Sequence, residues 1–382
     1  MSLSETQITF QRHIRQLVER YLAPHAEEIE TASRFPEAAH LVFAREKLYC
    51  LALPASYGGP AADAATLALM VENVARHSPS GALLLFPTNA VVRVIAQTGT
   101  DEQKTRFFHE LKNGDKPLAF CLTEPDHGSD AFNLTTTAVS DGDHYLVNGT
   151  KSFVTLGPHA RYYLTFVRTG PAPKAGGISV LLIPHDAPGL EFGPAEKKMG
   201  LHGSITSQLY LNKVRVPKAN RLWQEGEGWR VLTEVANPMR VWGAAAMALG
   251  TAEGLFKAAW EHAQMAQEGG HRLLEQQACA FALAEMRMKI EADRSLIYRV
   301  CAMLDSGTHS HKELEAFTSM AKCFSSDTAL EVANLAGEVL GLAMARDHSL
   351  AARLFCVAKG IQIFDGSNQI QRMIISRNLA VF

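Results

Sequence analysis

The chain has 382 residues, 47% of them hydrophobic and 20% charged, and its 37 basic against 39 acidic side chains leave a formal charge of −2. That length allows two or three domains around a large core, and the near-neutral balance argues against nucleic acid or an anionic membrane as a partner, since both select basic stripes. Six scattered cysteines with no C-x-x-C pair argue against a disulfide framework.

The opening residues, MSLSETQITFQRHIRQ, carry no apolar h-region and no small-residue cleavage site, so a signal peptide is not expected and the expected location is cytoplasmic. No uninterrupted apolar run reaches the roughly 18 residues of a membrane span. Residues 1–115 read as a helical domain. Phe10, Ile14, Leu17 and Leu22 recur at helical spacing, 65–77 and 101–112 share that texture, and Pro54-Ala-Ser-Tyr-Gly-Gly-Pro60 marks a turn. Residues 116–225 change character to short β-rich runs: Tyr145-Leu-Val, Ser152-Phe-Val-Thr, Tyr162-Tyr-Leu-Thr-Phe-Val, Ile178-Ser-Val-Leu-Leu-Ile and Gln208-Leu-Tyr-Leu. Asn148-Gly149 between two such runs predicts a hairpin turn. Residues 226–382 return to helix. There Phe281, Ala284, Met288, Ala292, Leu296, Val300 and Met303 predict the buried face of one long helix. A β module between two helical blocks makes an α+β fold and argues against a doubly wound nucleotide fold.

Several chemistries are disfavoured by missing strings. No G-x-G-x-x-G follows a strand, and no P-loop, H-E-x-x-H or G-x-S-x-G appears. His309 and His311 sit in a polar loop without the spaced partners of a metal site, so no metal is expected.

Three segments are harder to read as structure alone: Ala119-Phe-Cys-Leu-Thr-Glu-Pro-Asp-His-Gly-Ser-Asp130, Gly149-Thr-Lys-Ser-Phe-Val-Thr-Leu-Gly157 and Ile363-Phe-Asp-Gly-Ser-Asn-Gln-Ile-Gln-Arg372. Together and in this order they resemble the acyl-CoA dehydrogenase family of flavoenzymes, whose Thr-Glu-Pro-x-x-Gly-Ser-Asp string is quite specific. Leu53-Pro-Ala-Ser-Tyr-Gly-Gly59, Val214-Arg-Val-Pro217, Arg240 and Leu283-Ala-Glu-Met286 extend the similarity from end to end. The resemblance implies an N-terminal helical domain, a central β-barrel-like domain and a C-terminal four-helix bundle. It also implies FAD as cofactor, an acyl-CoA or acyl-carrier-protein thioester as substrate, and electron-transfer flavoprotein or a similar acceptor as partner. The expected assembly is a homo-oligomer, dimer or tetramer.

By the same resemblance, Phe120, Leu122, Thr123, Gly128, Ser129, Phe153, Thr155, Ser367 and Gln369 are expected to touch the cofactor. Ser129, Arg240 and Gly366 are expected to touch the substrate. Phe153 stands where the family usually has Trp. Asp365 occupies the position of the base that removes the α-proton, where the family commonly has Glu. The alternative base position, just before Arg240, holds Met239. Two other roles stay open: Asp365 as the cap of a helix starting near Ser367, and Phe153 as a core aromatic. Arg372 is the cation expected to act on Asp365 if the chain folds back. Two stretches through which a neighbouring subunit completes the flavin site depart from the family pattern. Ala266-Gln-Glu-Gly-Gly270 keeps Gly270 but neither the Arg nor the Phe, and Glu338-Val-Leu-Gly-Leu-Ala-Met344 puts a carboxylate where Gln is usual. The departures leave two alternatives in view: a half-site partner within a hetero-oligomer, and, because Asp suits it as a base, a flavin oxidase resembling nitroalkane oxidases.

Overall fold

Side-chain caps fix where the first helices begin. The computed structural model describes residues 3–170, 176–346 and 349–382. Helix α1 (Glu5–Tyr21) starts at Ser4, whose hydroxyl and the Gln7 amide form a reciprocal capping box, and it buries Ile14, Leu17 and Val18. Short helices α2 (Ala26–Thr31) and α3 (Glu37–Arg45) follow. Asp63 caps α4 (Ala64–Ala75), Ser78 caps α5 (Pro79–Thr98) with Pro at its first turn, and Thr100 caps α6 (Asp101–Leu111). Helix α5 is long and apolar enough to cross a membrane by composition, yet 83% of its most apolar window is buried inside the fold. It is a core helix here.

The middle of the chain is a single sheet made of two wings. Strands β1 (Leu118–Cys121), β4 (Tyr162–Arg168), β5 (Ile178–Pro184) and β8 (Arg221–Leu222) form one wing; β2 (Thr137–Asp141), β3 (His144–Thr155), β6 (Leu190–Phe192) and β7 (Thr206–Pro217) form the other. The wings meet at one parallel bridge, Thr137 to Arg168. The predicted Asn148-Gly149 hairpin is wrong. The turn is at Gly142 (φ +59°) and Asp143, because Asp141 pairs with His144. Asn148 and Gly149 lie inside β3, at an irregularity between Val147 and Gly149. Glycine is needed there for space: a Cβ at Gly149 would lie 2.5 Å from the Thr136 hydroxyl oxygen.

The chain after the sheet begins as a distorted helix. One turn, α7 (Gly228–Arg230), runs into a π segment (Val231–Ala236), a 3-10 segment (Asn237–Arg240) and a second π segment (Val241–Ala245) before α8 (Ala246–Met265) becomes regular. Pro238 lacks the N–H that would close the normal turn, which accounts for the change of pitch around it. A two-stranded hairpin, β9 (Gln267–Glu268) and β10 (His271–Arg272), leads to α9 (Gln277–Ser306). Helices α10 (His311–Leu340), α11 (Leu342–Ala345), α12 (Leu350–Ile361) and α13 (Asn368–Arg377) complete the chain. Helix α10 packs against α8, α9, α12 and α13, and α4 packs on α8.

The face predicted to be buried on α9 is largely the open one. Phe281 is 65% exposed and Met288 62%, whereas Leu283, Met286, Ile290, Ile297, Val300, Cys301 and Met303 pack inward. The helix carries two apolar stripes, and the inward one was masked by Asp293, which is fully buried within it. Ser325 donates a hydrogen bond of 2.5 Å to one Asp293 oxygen, and the other oxygen has no partner among the described residues. Burial pushes this carboxyl up to about 8, against the Ser325 hydrogen bond and the charge of Arg294. The folded chain therefore keeps a proton that the unfolded chain loses near pH 4. Stability from this group is full below that value and declines as pH rises through about 8. Thermal unfolding between about pH 5 and about pH 9 should show Asp293→Asn losing part of the alkaline fall in Tm. Parallel curves for the two proteins would show that Asp293 is not its source.

Candidate active site

The Thr123-Glu124-Pro125 segment leaves β1 and immediately goes to ground. Glu124 is 3% exposed and accepts four hydrogen bonds: from the Thr135 N–H (2.6 Å), the Thr135 hydroxyl (2.7 Å), the Thr136 N–H (2.9 Å) and the Lys151 ammonium (2.9 Å). Lys151 is fully buried on β3 and also donates to the Leu122 carbonyl at 3.2 Å. Burial acts to raise the Glu124 pKa, but Lys151 and the donors on Thr135 and Thr136 outweigh it and hold the carboxyl down at about 2. This pair staples the 124–136 loop to the sheet, so the motif's most familiar acid has a structural task. Gly128 and Ser129 stand exposed on the stapled loop, with open space where a Gly128 Cβ would be.

On the same sheet, Phe120 and Leu122 are half-buried, and the Thr123 carbonyl accepts from the Ser152 N–H at 2.8 Å. Phe153 is not a core aromatic. The β3–β7 register breaks between Lys151 and Val154, Phe153 takes φ +53°, and its ring is 62% exposed between buried neighbours Ser152 and Val154. A bulge has turned the ring outward. Thr155 returns to register opposite Thr206. An exposed aromatic held in a left-handed backbone, beside a loop with an open glycine, fits a planar flavin and its phosphate arm. The residues expected to hold that half, Phe120, Leu122, Thr123, Gly128, Ser129, Phe153 and Thr155, lie on β1, the stapled loop that leaves it and β3. For the adenine half the fit is poorer, since Ala266 offers no donor and the Glu338 side chain is an exposed acid.

The second set lies at the C-terminal helices. Asp365 (φ +55°) and Gly366 (φ +80°) form two successive left-handed residues ahead of α13. Asp365 is not the cap of that helix, because Ser367 is the cap, accepting from the Ile370 N–H. Gln369 lies exposed on the first turn. One Asp365 oxygen is 3.8 Å from the Arg240 Nε, and the other is buried with no hydrogen-bond partner among the described residues. Arg240 projects from the distorted helix, with its Nη2 3.1 Å from where a Gly366 Cβ would lie. Arg240, Asp365 and Gly366 are thus brought together. Burial raises the Asp365 pKa, with Arg240 first and Lys322 second working against it. Arg372 plays no part in this, since it is paired with Asp327 at 2.5 Å. Glu315, the other acid whose charge acts on Arg240, is bonded to the Asn378 amide at 3.1 Å. Met239, next to Arg240, is buried. Among the described residues no hydrogen bond joins the sheet set to the C-terminal set. Sequence reasoning passed over Lys322, a fully buried lysine on α10, because nothing in its neighbours in sequence distinguishes it.

Replacing Glu124 by Gln would leave a charged Lys151 buried without its counter-charge, a loss of about 3–5 kcal/mol in comparable buried pairs. In the wild type the pair's stabilisation is present above about pH 4.5 and lost as pH falls toward about 2. Urea unfolding at neutral and acid pH should show Glu124→Gln weakened at neutral pH and less sensitive to acid. A neutral-pH midpoint equal to wild type would remove the staple from the account.

Models of the acyl-CoA dehydrogenase N-terminal, middle and C-terminal domains match residues 4–115, 119–214 and 226–380. An acyl-CoA dehydrogenase of Bacillus subtilis (strain 168) is 35% identical over 381 residues, which is 99% of each chain. The solved structure of butyryl-CoA dehydrogenase from Megasphaera elsdenii is 31% identical with a TM-score of 0.94, covering 100% of this chain and 99% of that one. The FAD complex of PigA aligns at 25% identity with a TM-score of 0.91, again over 100% and 99%. The chain belongs to the acyl-CoA dehydrogenase family, and its cofactor is FAD.

Proposed function

We propose that the chain dehydrogenates an acyl thioester to the trans-2-enoyl thioester, with Asp365 removing the α-proton. The observation that carries this reading is the Asp365 carboxyl itself. It has one oxygen bonded to nothing, sits in a fixed turn beside Arg240, and has a pKa raised by burial. An acid that is neither capped, paired at bonding distance nor fully solvated is poised to exchange a proton. FAD, when bound, supplies the acceptor for the β-hydride. The residues of the chain do the rest. Phe153 and the 122–129 loop align the ring, Arg240 and the 365–366 turn fix the base, and the buried helices exclude water from the α-carbon.

Asp365 suits a left-handed position better than most residues, because its short polar side chain tolerates that backbone. The shorter side chain sets the carboxylate back by about one C–C bond relative to Glu, and misplacement of about 1 Å can cost of order 10²-fold in rate. The thioester is therefore expected to sit closer to α13. The apolar face of α9 with Phe281 and Met288, and Leu342 at 87% exposure, support an oligomer as the working form. A flavoprotein acceptor and a cytoplasmic location belong to the same reading.

The visible spectrum of the purified protein, followed by anaerobic butyryl-CoA and longer acyl-CoAs, tests it. A flavin band that bleaches with one of them is expected, and Asp365→Asn should slow the bleaching by about 10²-fold or more. Bleaching at the wild-type rate in Asp365→Asn would move the base elsewhere. Nitrite release from a nitroalkane, without any response to thioesters, would favour the oxidase.

A further inference from the structure

The turn that carries the base is held from behind by a lysine. Lys322 is fully buried on α10, and its ammonium donates to the Gly366 carbonyl at 2.9 Å and to the Asn368 side-chain oxygen at 3.0 Å. The Gln371 amide donates to the same Gly366 carbonyl at 2.9 Å, and Ser326 donates to the same Asn368 oxygen at 3.0 Å. Asn368 in turn donates to Asp327 at 2.7 Å. The carbonyl of the residue after Asp365 is therefore clamped from two sides. A Cβ at Gly366 would lie 2.5 Å from the Gln371 amide nitrogen, so the clamp leaves no slack. Two of the three ammonium protons are committed, and no described acceptor takes the third.

We propose that Lys322 is the positioning residue of the base: it locks the left-handed 365–366 turn through Gly366 and places a second positive charge beside the Asp365 carboxyl. This rests on the reading of Asp365 as the base, and it assigns to Lys322 both the geometry and part of the charge balance of that group. The ionisable groups facing Lys322 are Asp365 from the turn, Arg240 from the 3-10 segment before α8, and Cys323 and Asp327 from its own helix. At one remove, Arg372 of α13 pairs with Asp327, and Asp293 of α9 accepts from Ser325. Burial lowers the Lys322 pKa to about 8, Asp365 resists that fall and Arg240 adds to it. At neutral pH the lysine is charged, so two cations oppose the desolvation of one carboxylate. Without the lysine's charge, Asp365 would hold its proton to higher pH.

Lys322→Gln keeps an amide donor for Gly366 and removes the charge; Lys322→Arg keeps the charge. Carbodiimide reacts with protonated carboxyls, so its labelling of Asp365 in the flavin-loaded protein, read by peptide mass spectrometry across pH, reports that group's protonation without turnover. The Asp365 labelling midpoint should rise by roughly one pH unit in Lys322→Gln and return toward wild type in Lys322→Arg. The acid limb of flavin bleaching by butyryl-CoA should move in the same direction. A purely structural lysine would lower the rate at every pH and leave the midpoint in place, and an unmoved midpoint in folded Lys322→Gln overturns the proposal. If the midpoint shifts while no acyl-CoA bleaches the wild type, the role of Lys322 stands and the dehydrogenase reading falls.

Discussion

A carboxylate oxygen without a hydrogen bond is the constraint around which the C-terminal half is arranged. Leaving a buried acceptor unmet costs about 1–3 kcal/mol, and a left-handed non-glycine residue adds strain of similar order. Neither would survive in a loop free to relax. Asp365 cannot relax, because the next carbonyl is clamped by Lys322 and Gln371 and the next residue but one, Ser367, caps α13. The cap, the clamp and Arg240 come from three different parts of the chain. That is why the turn is over-determined, and why an acid there can be left with an oxygen unbonded.

Three acids, two buried and Asp365 only partly so, show how environment sets the state of the same functional group. Glu124 receives four hydrogen bonds, one from an ammonium, and is held ionised. Asp293 receives one hydroxyl and is held protonated near neutrality. Asp365 faces two cations but neither of its oxygens is within hydrogen-bonding distance of them, and burial raises its pKa against their pull. The first two states are inert, each for its own reason. Only the third is partly exposed and carries no hydrogen bond on either oxygen among the described residues.

The order of helical, β and helical segments was legible from texture alone, since apolar spacing and turn residues are local signals. So were the strings around Glu124, Phe153 and Asp365, which resemblance made readable. What escaped was set by partners distant in sequence. Asn148-Gly149 has hairpin chemistry, but Thr136 presses on Gly149 and the strand runs through it. Asp293 disguised the buried stripe of α9, because a charged residue is normally counted as outward-facing. Lys322 and Lys151 look like surface lysines until the carbonyls and carboxylates they serve are brought to them by the fold. Arg372 was placed beside Asp365 by chain distance, and Asp327 of α10 claimed it instead.

The expected flavin site divides along a physical line, between fixed geometry and summed contacts. In the proposed reading ring alignment depends on fixed geometry, and the β3 bulge that turns Phe153 outward, the stapled 124–136 loop and the clamped 365–366 turn are all present within one chain. Binding of the adenine half depends on summed contacts, any one of which can be replaced without moving the ring. Departures occur in both classes: Phe153 and Asp365 stand where the family usually has Trp and Glu, and the 266–270 and 338–344 stretches differ in the second. Residues 267–272 close as a two-residue hairpin on Gly269 and Gly270, both at positive φ, with Arg272 bonded to Glu275 and not held back toward Ala266. Leu342 and the exposed stripe of α9 sit on the same helical half as these altered stretches. The missing Arg bears on how tightly the cofactor is kept, and the Asp at 365 bears separately on the proposed proton chemistry.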